Sequence, residues 1–193
     1  MTKEEKRQNL AKVAYSMLIK QGVDKFSLNT LLQEVGMSKG VFYHYFKDKN
    51  DLFYEVIVEQ YGLLTQEYFS TKETLSAVED KIINFFATYL DESEATQAFL
   101  KIMHDMYFLY SDKRHKNFNL LMQEMYQESF EELGSIIQEG IDTKVFKAEA
   151  IESVKSMVAT ADGMFMYSFL LHDFNLKEEL ERYLNRTIHT LRL

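Results

Sequence analysis

Residues 26–49 read FSLNTLLQEVGMSKGVFYHYFKDK, and this stretch decides the fold of the first part of the chain. A helix-forming segment follows Ser27 and ends at Gly36, and a second segment follows Ser38 and continues to Phe46. Serine is a preferred N-cap and glycine a preferred stop, so the stretch predicts two short helices joined by a glycine-containing turn. That arrangement is the helix-turn-helix signature, in which the second helix lies in the major groove of DNA.

The second of these predicted helices carries four aromatic side chains within five positions. Phe42 and Phe46 stand four residues apart, so they share the face that is turned toward the preceding helix. Val41, Tyr43 and His44 point elsewhere, because such a dense run of rings cannot all face one core. The sequence therefore predicts two rings that hold the motif together and others that are presented to a partner.

The whole chain reads as all-α. Its 193 residues include no proline and only seven glycines, a composition that long uninterrupted helices require. We expect about nine helices, with a three-helix head in residues 1–48 and a larger helical domain in residues 49–193. Apolar spacing and glycine stops, including one at Gly140, place the predicted helices at residues 3–21, 28–35, 39–45, 49–69, 75–89, 96–110, 118–140, 148–172 and 177–191.

Charge divides the chain into two parts. Residues 1–50 hold nine Lys or Arg and five Asp or Glu, a net charge of +4, whereas residues 51–193 hold thirteen and twenty-five, a net charge of −12. A basic head suits a nucleic-acid partner even though the whole chain carries −8. The longest charge-free run, Gly163 to His172, is too short to span a membrane, so we expect a cytoplasmic protein with no membrane partner.

The sequence offers no set of residues for an enzymatic function. A helical-bundle oxidase needs Glu-x-x-His pairs on facing helices, and none of the five histidines has a glutamate three residues before it. Asp112 and His115 form a lone Asp-x-x-His that reads as a solvated charge cluster in a loop. The chain also lacks cysteine, a phosphate-binding glycine loop and a nucleophile elbow. We therefore expect no catalytic residues, no metal and no cofactor.

A spaced pattern runs through the turn and the second helix of the motif. Ser-Lys-Gly is followed by Tyr-x-x-Phe, then by Lys and Leu at intervals of three; these are Ser38, Lys39, Gly40, Tyr43, Phe46, Lys49 and Leu52. In this register the N-terminal third resembles the tetracycline-repressor (TetR) family of bacterial transcriptional regulators. The resemblance implies a homodimer that binds a palindromic double-stranded DNA operator as a repressor and is released by a small apolar or aromatic effector.

Roles in DNA contact follow from this resemblance. Gly40 would let the backbone approach DNA, Val41 and Tyr43 would read base edges, and the side chains after them would bind phosphates. The full set expected at DNA is Ser27, Asn29, Thr30, Ser38, Lys39, Gly40, Val41, Tyr43, His44, Tyr45 and Lys49. Two alternatives stay open: a DNA-binding activator or effector-independent regulator, and a helical protein-interaction module.

The resemblance also implies an effector pocket and a dimer surface in the larger domain. The expected pocket residues are Met103, Tyr107, Phe118, Met122, Met125, Tyr126, Asp162 and Phe165, although most of them suit an ordinary core equally well. The expected dimer residues, on the last two helices, are Ala159, Gly163, Tyr167, Leu180, Leu184, Ile188 and Leu191. The alternative for the leucine stripe is that it packs only inside its own subunit.

Overall fold

The computed structural model describes residues 2–110 and 116–193, and helices account for nearly all regular structure in them. The all-α prediction is confirmed, with ten α-helices in the described residues rather than about nine. They are α1 (Lys3–Gln21), α2 (Leu28–Glu34), α3 (Lys39–Tyr45), α4 (Lys49–Lys72), α5 (Val78–Phe85), α6 (Ala87–Leu90), α7 (Glu94–Tyr110), α8 (Lys116–Asp142), α9 (Val154–Leu170) and α10 (Leu176–Leu191). Asp112 and His115, predicted to form a charge cluster, lie outside the described residues.

The helices form two compact units. The first comprises Met1–Thr65 and Glu94–Leu120, and the second comprises Gln66–Ser93 and Leu121–Leu193. None of the helices in the described ranges is long and apolar enough to cross a membrane. The expected domain boundary between residues 48 and 49 stays a prediction.

In the first unit, α1 packs against α2, α3 and α7. Thr2 and Glu5 form a capping box at its start, in which each side chain accepts a hydrogen bond from the other residue's backbone N–H. Gly22 ends the helix with a φ of 81°, which favours glycine. These local signals explain why the predicted limits of α1 match the observed ones. Its buried face consists of Leu10, Ala11, Ala14, Met17 and Leu18.

The helix-turn-helix is formed by α2 and α3, and both serines act as predicted. The Ser27 hydroxyl accepts a hydrogen bond from the Thr30 N–H, and the Ser38 hydroxyl accepts one from the Val41 N–H. Between the helices, Gly36 has a φ of 63°, so the turn favours glycine, and any residue with a side chain would be strained there. The limits of α3 are those predicted, Lys39–Tyr45.

The end of α8 differs from the prediction. Gly140 does not stop the helix, which continues to Asp142. Instead, a Cβ atom at Gly140 would lie 2.2 Å from Cδ2 of Phe146, so glycine is required for close packing. The Gly140 carbonyl oxygen accepts hydrogen bonds from the N–H groups of Val145 and Phe146, which folds the chain back over this glycine.

Two other predicted helices are interrupted. The helix expected at residues 75–89 divides at Phe86 into α5 and α6, and Phe86 is fully buried there. The helix expected at residues 148–172 begins with a 3-10 segment, Ala148–Ser153, and becomes α-helical only at Val154. In the second unit, α10 packs against α6 and α9 through its apolar stripe.

Candidate nucleic-acid interface and effector site

The recognition helix α3 has one buried face and one exposed face. Phe42 and Phe46 are 0% and 1% exposed, and their rings stack with centroids 5.3 Å apart. On the other side, Val41 is 45% exposed, Tyr43 is 55% exposed and His44 is exposed. Burying a phenylalanine side chain stabilises a fold by about 1.5–3 kcal/mol, so the two rings fix the helix and leave its outer face available.

The start of α3 is open on its outer side. Ser38, Lys39 and Gly40 are all exposed, and the N–H groups of the first helical turn lie beside them. A Cβ atom added at Gly40 would meet nothing within 4 Å. Packing within the chain therefore does not require glycine at this position, and close approach by an outside molecule would.

The second helix contributes a shallow groove next to α3. Asn29 and Thr30 are exposed, whereas Ser27 is half-buried as the N-cap. The groove is lined by Asn29, Leu32, Gln33, Gly36, Met37 and Lys39. Gln33, an exposed amide with both donor and acceptor groups, was not singled out from the sequence, because its position in α2 carries no distinctive pattern.

Tyr45 and Lys49 are less exposed than the centre of α3. The Lys6 Nζ atom lies 5.8 Å from the centroid of the Tyr45 ring, and the Lys49 Nζ atom lies 5.3 Å from that of Phe53. Lys6 therefore adds a positive charge beside the recognition helix that sequence analysis did not assign to it. Both lysines have long flexible stems, which suits phosphate groups rather than base edges.

Arg7 of α1 contacts both the recognition helix α3 and α4, and sequence analysis did not predict this role. Its guanidinium donates to Glu55 Oε2 from Nε at 3.2 Å and from Nη2 at 2.5 Å, and from Nη1 to the Tyr45 carbonyl oxygen at 2.5 Å. Its Cζ atom also lies 4.4 Å from the centroid of the Phe46 ring. Burial alone would lower the pKa of Arg7, but the hydrogen bond and charge of Glu55, with the charge of Asp51, raise it.

The expected effector residues divide between the two units. Met103, Tyr107 and Phe118 belong to the first unit, where Tyr107 is exposed and Phe118 is buried. The others, Met122, Met125, Tyr126, Asp162 and Phe165, belong to the second unit.

Within the second unit, Tyr126 and Asp162 are in direct contact. The Tyr126 hydroxyl donates to Asp162 Oδ2 at 2.9 Å, and the Tyr89 hydroxyl donates to Asp162 Oδ1. Tyr89 lies at the end of the helix predicted at residues 75–89, and the sequence assigned it no role in a site. Its place beside a carboxylate 73 positions away carries no signal in the sequence.

The expected dimer residues also divide. Leu180, Leu184, Ile188 and Leu191 are buried within the single chain, and their part in a dimer surface stays a prediction. Ala159 and Tyr167 are exposed, and a Cβ atom at Gly163 would meet nothing within 4 Å. Beside them lies a groove of ≈ 330 Å³ lined by Met164, Glu179, Arg182, Tyr183, Arg186, Thr187 and Thr190.

The fold and the helix-turn-helix are typical of a DNA-binding transcriptional regulator, and comparison with known proteins identifies the family. Residues 10–56 match "Bacterial regulatory proteins, tetR family", and residues 81–179 match "Tetracyclin repressor-like, C-terminal domain". The chain belongs to the TetR family. Members of this family are transcriptional regulators, and the chain is not an enzyme.

Relatives and solved structures agree with this assignment. HTH-type transcriptional regulators of Staphylococcus aureus, from strains USA300 and NCTC 8325, are 29% identical over 89 residues. The match covers 42% of this chain and 48% of each relative, so the chain spans about half the length of the curated relatives it matches.

Three crystal structures show the same fold at low sequence identity. A TetR-family regulator from Cytophaga hutchinsonii has a TM-score of 0.80 at 14% identity and covers 100% of this chain and 98% of its own. One from Haloarcula marismortui has a TM-score of 0.80 at 15% identity, with 98% and 100% covered. A regulator from Saccharomonospora viridis in complex with choline has a TM-score of 0.78 at 15% identity, with 96% of each chain covered.

Proposed function

We propose that the protein is a homodimeric repressor that binds a palindromic operator through residues 27–49 and is released by a small effector. One observation carries the DNA-binding part: α3 is anchored by buried Phe42 and Phe46 while Val41, Tyr43 and His44 face outward. An outward-facing second helix of this motif is what enters the major groove. Acting on a promoter would place the protein in the cytoplasm, with DNA as its partner.

Val41 and Tyr43 are assigned to base reading. Both side chains are about half exposed, and an apolar side chain can contact the methyl group of thymine. His44, Lys39 and Lys49 are assigned to phosphates, together with Ser27, Asn29, Thr30, Ser38 and Tyr45. Contacts with the phosphate backbone of DNA fix the register of a protein on the duplex, whereas contacts with base edges specify sequence.

We assign the dimer interface to the outer surface of α9 and α10, where a second copy of the chain would bind. The groove there carries both charge signs, with Arg182 and Arg186 beside Glu179. A two-fold interface brings each residue opposite the same patch of its partner, so a surface with both signs can pair with itself. Two-fold symmetry would then require half-sites about 34–36 Å apart, or one turn more.

We assign to α4 the role of transmitting effector binding to the DNA-binding residues, so that DNA is released. Lys49 lies at the start of this helix, and near its end Tyr68 and Lys72 both donate hydrogen bonds to Glu132 of α8. An effector in the second unit that binds one arrangement of α4 better than another would shift the DNA affinity by the difference, typically about 1–3 kcal/mol. The choline complex of the Saccharomonospora viridis regulator supports a small-molecule effector, because that protein has the same fold.

The decisive experiment is a gel shift with the DNA upstream of the protein's own gene, followed by transcription in vitro. We expect a salt-sensitive, sequence-specific complex and reduced transcription from the bound promoter. Increased transcription would identify an activator instead. Absence of any complex with double-stranded DNA would contradict the proposal and favour a protein-interaction module.

A further inference from the structure

The Asp162 carboxylate is fixed by two uncharged donors. Tyr89 of α6 donates to one oxygen, and Tyr126 of α8 donates to the other at 2.9 Å. These bonds orient the carboxylate of α9 between two neighbouring helices. Because a phenol hydroxyl is neutral, neither bond cancels the negative charge of an ionised carboxylate.

That charge has no counter-ion within the described residues. Asp162 contacts no Lys, Arg or His there, and the two tyrosine hydroxyls are its hydrogen-bond partners. Other partly buried carboxylates of the same unit are paired: Glu132 with Lys72, and Glu139 with Lys81. An unpaired, partly buried charge is costly to a fold, and a bound cation would offset that cost.

Two further aromatic rings pack against the tyrosines that hold the carboxylate. The Phe165 ring lies 5.9 Å from that of Tyr89, and Phe165 is one helical turn beyond Asp162 on α9. The Tyr126 ring stacks on Phe130 at 6.2 Å. Aromatic faces attract cations through their quadrupole, and aromatic side chains recognise quaternary ammonium groups in this way. A nearby carboxylate adds a negative charge to that attraction.

Tyr89 is enclosed but still reachable. Burial, followed by the charge and hydrogen bond of Asp162, raises the pKa of Tyr89 well above its ordinary value, so the hydroxyl stays protonated. The residue nevertheless keeps part of its surface accessible to solvent, as Asp162 and Tyr126 do. These three polar side chains are therefore partly accessible to a small molecule without being fully exposed.

We propose that Asp162 anchors the positively charged group of the effector, and that the effector is an organic ammonium compound. The inference rests on the proposed function, since it names the chemical class of the ligand that releases DNA. Tyr89 and Tyr126 hold the carboxylate in place, and the rings of Tyr89, Tyr126 and Phe165 contact the alkyl groups around the nitrogen.

The test uses the full chain and a matched pair of probes. Calorimetric titration compares 2-(trimethylammonio)ethyl acetate with its uncharged isostere, 3,3-dimethylbutyl acetate, and adds benzyltrimethylammonium as a larger cation. We expect the cation of the matched pair to bind at least about tenfold more tightly than the isostere. Asp162→Asn should remove that preference, whereas Glu152→Gln, which deletes an exposed carboxylate of the same unit, should retain it.

Operator binding in a gel shift distinguishes failure of the proposed DNA-binding function from failure of the cation site. If the wild-type protein binds no DNA, the proposed function fails whatever the probes do. If it binds DNA but favours neither cation over the uncharged probe, or if Asp162→Asn binds cations like wild type, the cation site is refuted. Should Asp162→Asn fail to fold, the matched pair on the wild-type protein decides, because equal affinity for the cation and its uncharged isostere would by itself refute the cation site.

Discussion

Arg7 of α1 and Glu55 of α4 form an ion pair with two hydrogen bonds, both donated to Glu55 Oε2, next to the end of the recognition helix. The same guanidinium donates to the carbonyl oxygen of Tyr45, the last residue of α3. The side chains of Arg7 and Glu55 are only 19% and 12% exposed, so solvent screens this ion pair weakly. Arg7 therefore fixes the end of α3 through contacts within the chain.

Arg7→Ala should weaken operator binding without changing its dependence on salt. The substitution leaves Glu55 and the Tyr45 carbonyl without their donor, which should lower the free energy of unfolding by about 1–3 kcal/mol. The slope of log affinity against log salt should stay the same, because Arg7 neutralises no phosphate. Urea unfolding and fluorescence anisotropy at several salt concentrations provide the two readouts. Lys12→Ala, on the exposed side of α1, is the control, and a flatter slope for Arg7→Ala would indicate direct phosphate contact.

Lys49→Ala and Tyr43→Ala should have different effects on DNA binding. If each half-site neutralises about four phosphates, the salt slope of the wild-type dimer is roughly −7, and Lys49→Ala should bring it about two units closer to zero. Lys49→Ala should also weaken all operator sequences alike, because phosphates carry no sequence information. Tyr43→Ala should instead alter which bases are preferred, as should changes at Val41. Selection from a randomised operator library measures this, and a sequence-neutral Tyr43→Ala would exclude base reading.

Two glycine-to-alanine substitutions should separate stability from function. Gly40→Ala adds a methyl group in open space and improves helix propensity, so stability should hold or rise by up to about 1 kcal/mol while operator affinity falls. Gly140→Ala should instead destabilise the protein, because the added atom overlaps the Phe146 ring. Thermal unfolding and gel shift on both variants check the pair. Unchanged operator affinity in Gly40→Ala would show that the backbone does not approach DNA closely.

A charge reversal on α10 should disrupt the proposed dimer. Arg186→Glu places a negative charge in the groove beside Glu179 of the same subunit, and across a two-fold axis the repulsion would repeat. Light scattering after size exclusion should show monomers at concentrations where the wild type is dimeric. Glu181→Lys, exposed on α10 outside the groove lining, should leave the dimer intact. A dimeric Arg186→Glu would place the interface elsewhere.

Stability should decline in alkaline solution, and Tyr89 should contribute to the decline. Burial and Asp162 raise the pKa of Tyr89 above its ordinary value of 10.0, so its contribution is complete below pH 10 and is lost as pH rises further. Tyr89→Phe should remove up to about 1.4 kcal/mol per pH unit from this slope. Urea unfolding between pH 9 and pH 11 measures it. Equal slopes for the wild type and the variant would contradict the assignment.

The sequence predicts the helix-turn-helix well because its signals are local. The serine caps and the glycine turn act within a few residues, so the limits of α3 follow from nearest neighbours. Gly140 was misread, because what it permits is contact with the ring of Phe146 and not termination of a helix. The division between α5 and α6 has no glycine or proline to mark it.

The site residues that sequence analysis missed depend on distant partners. Arg7 is one of several charged residues at the start of the sequence, and its partners lie 38 and 48 positions away. Tyr89 and Asp162 are brought together only by the packing of their helices. Periodicity identifies the face of a helix on which a side chain lies, and it does not identify what that face meets.

The two phenol groups at Asp162 have a consequence for selectivity. Each donates its single proton to the carboxylate, so neither can donate another to an incoming ligand. Fatty acids, phosphorylated metabolites and other anions would meet a fixed negative charge there with no compensating donor from these hydroxyls. A site built on this carboxylate would thus discriminate by charge, and the abundant anionic metabolites of a cell would not act as effectors.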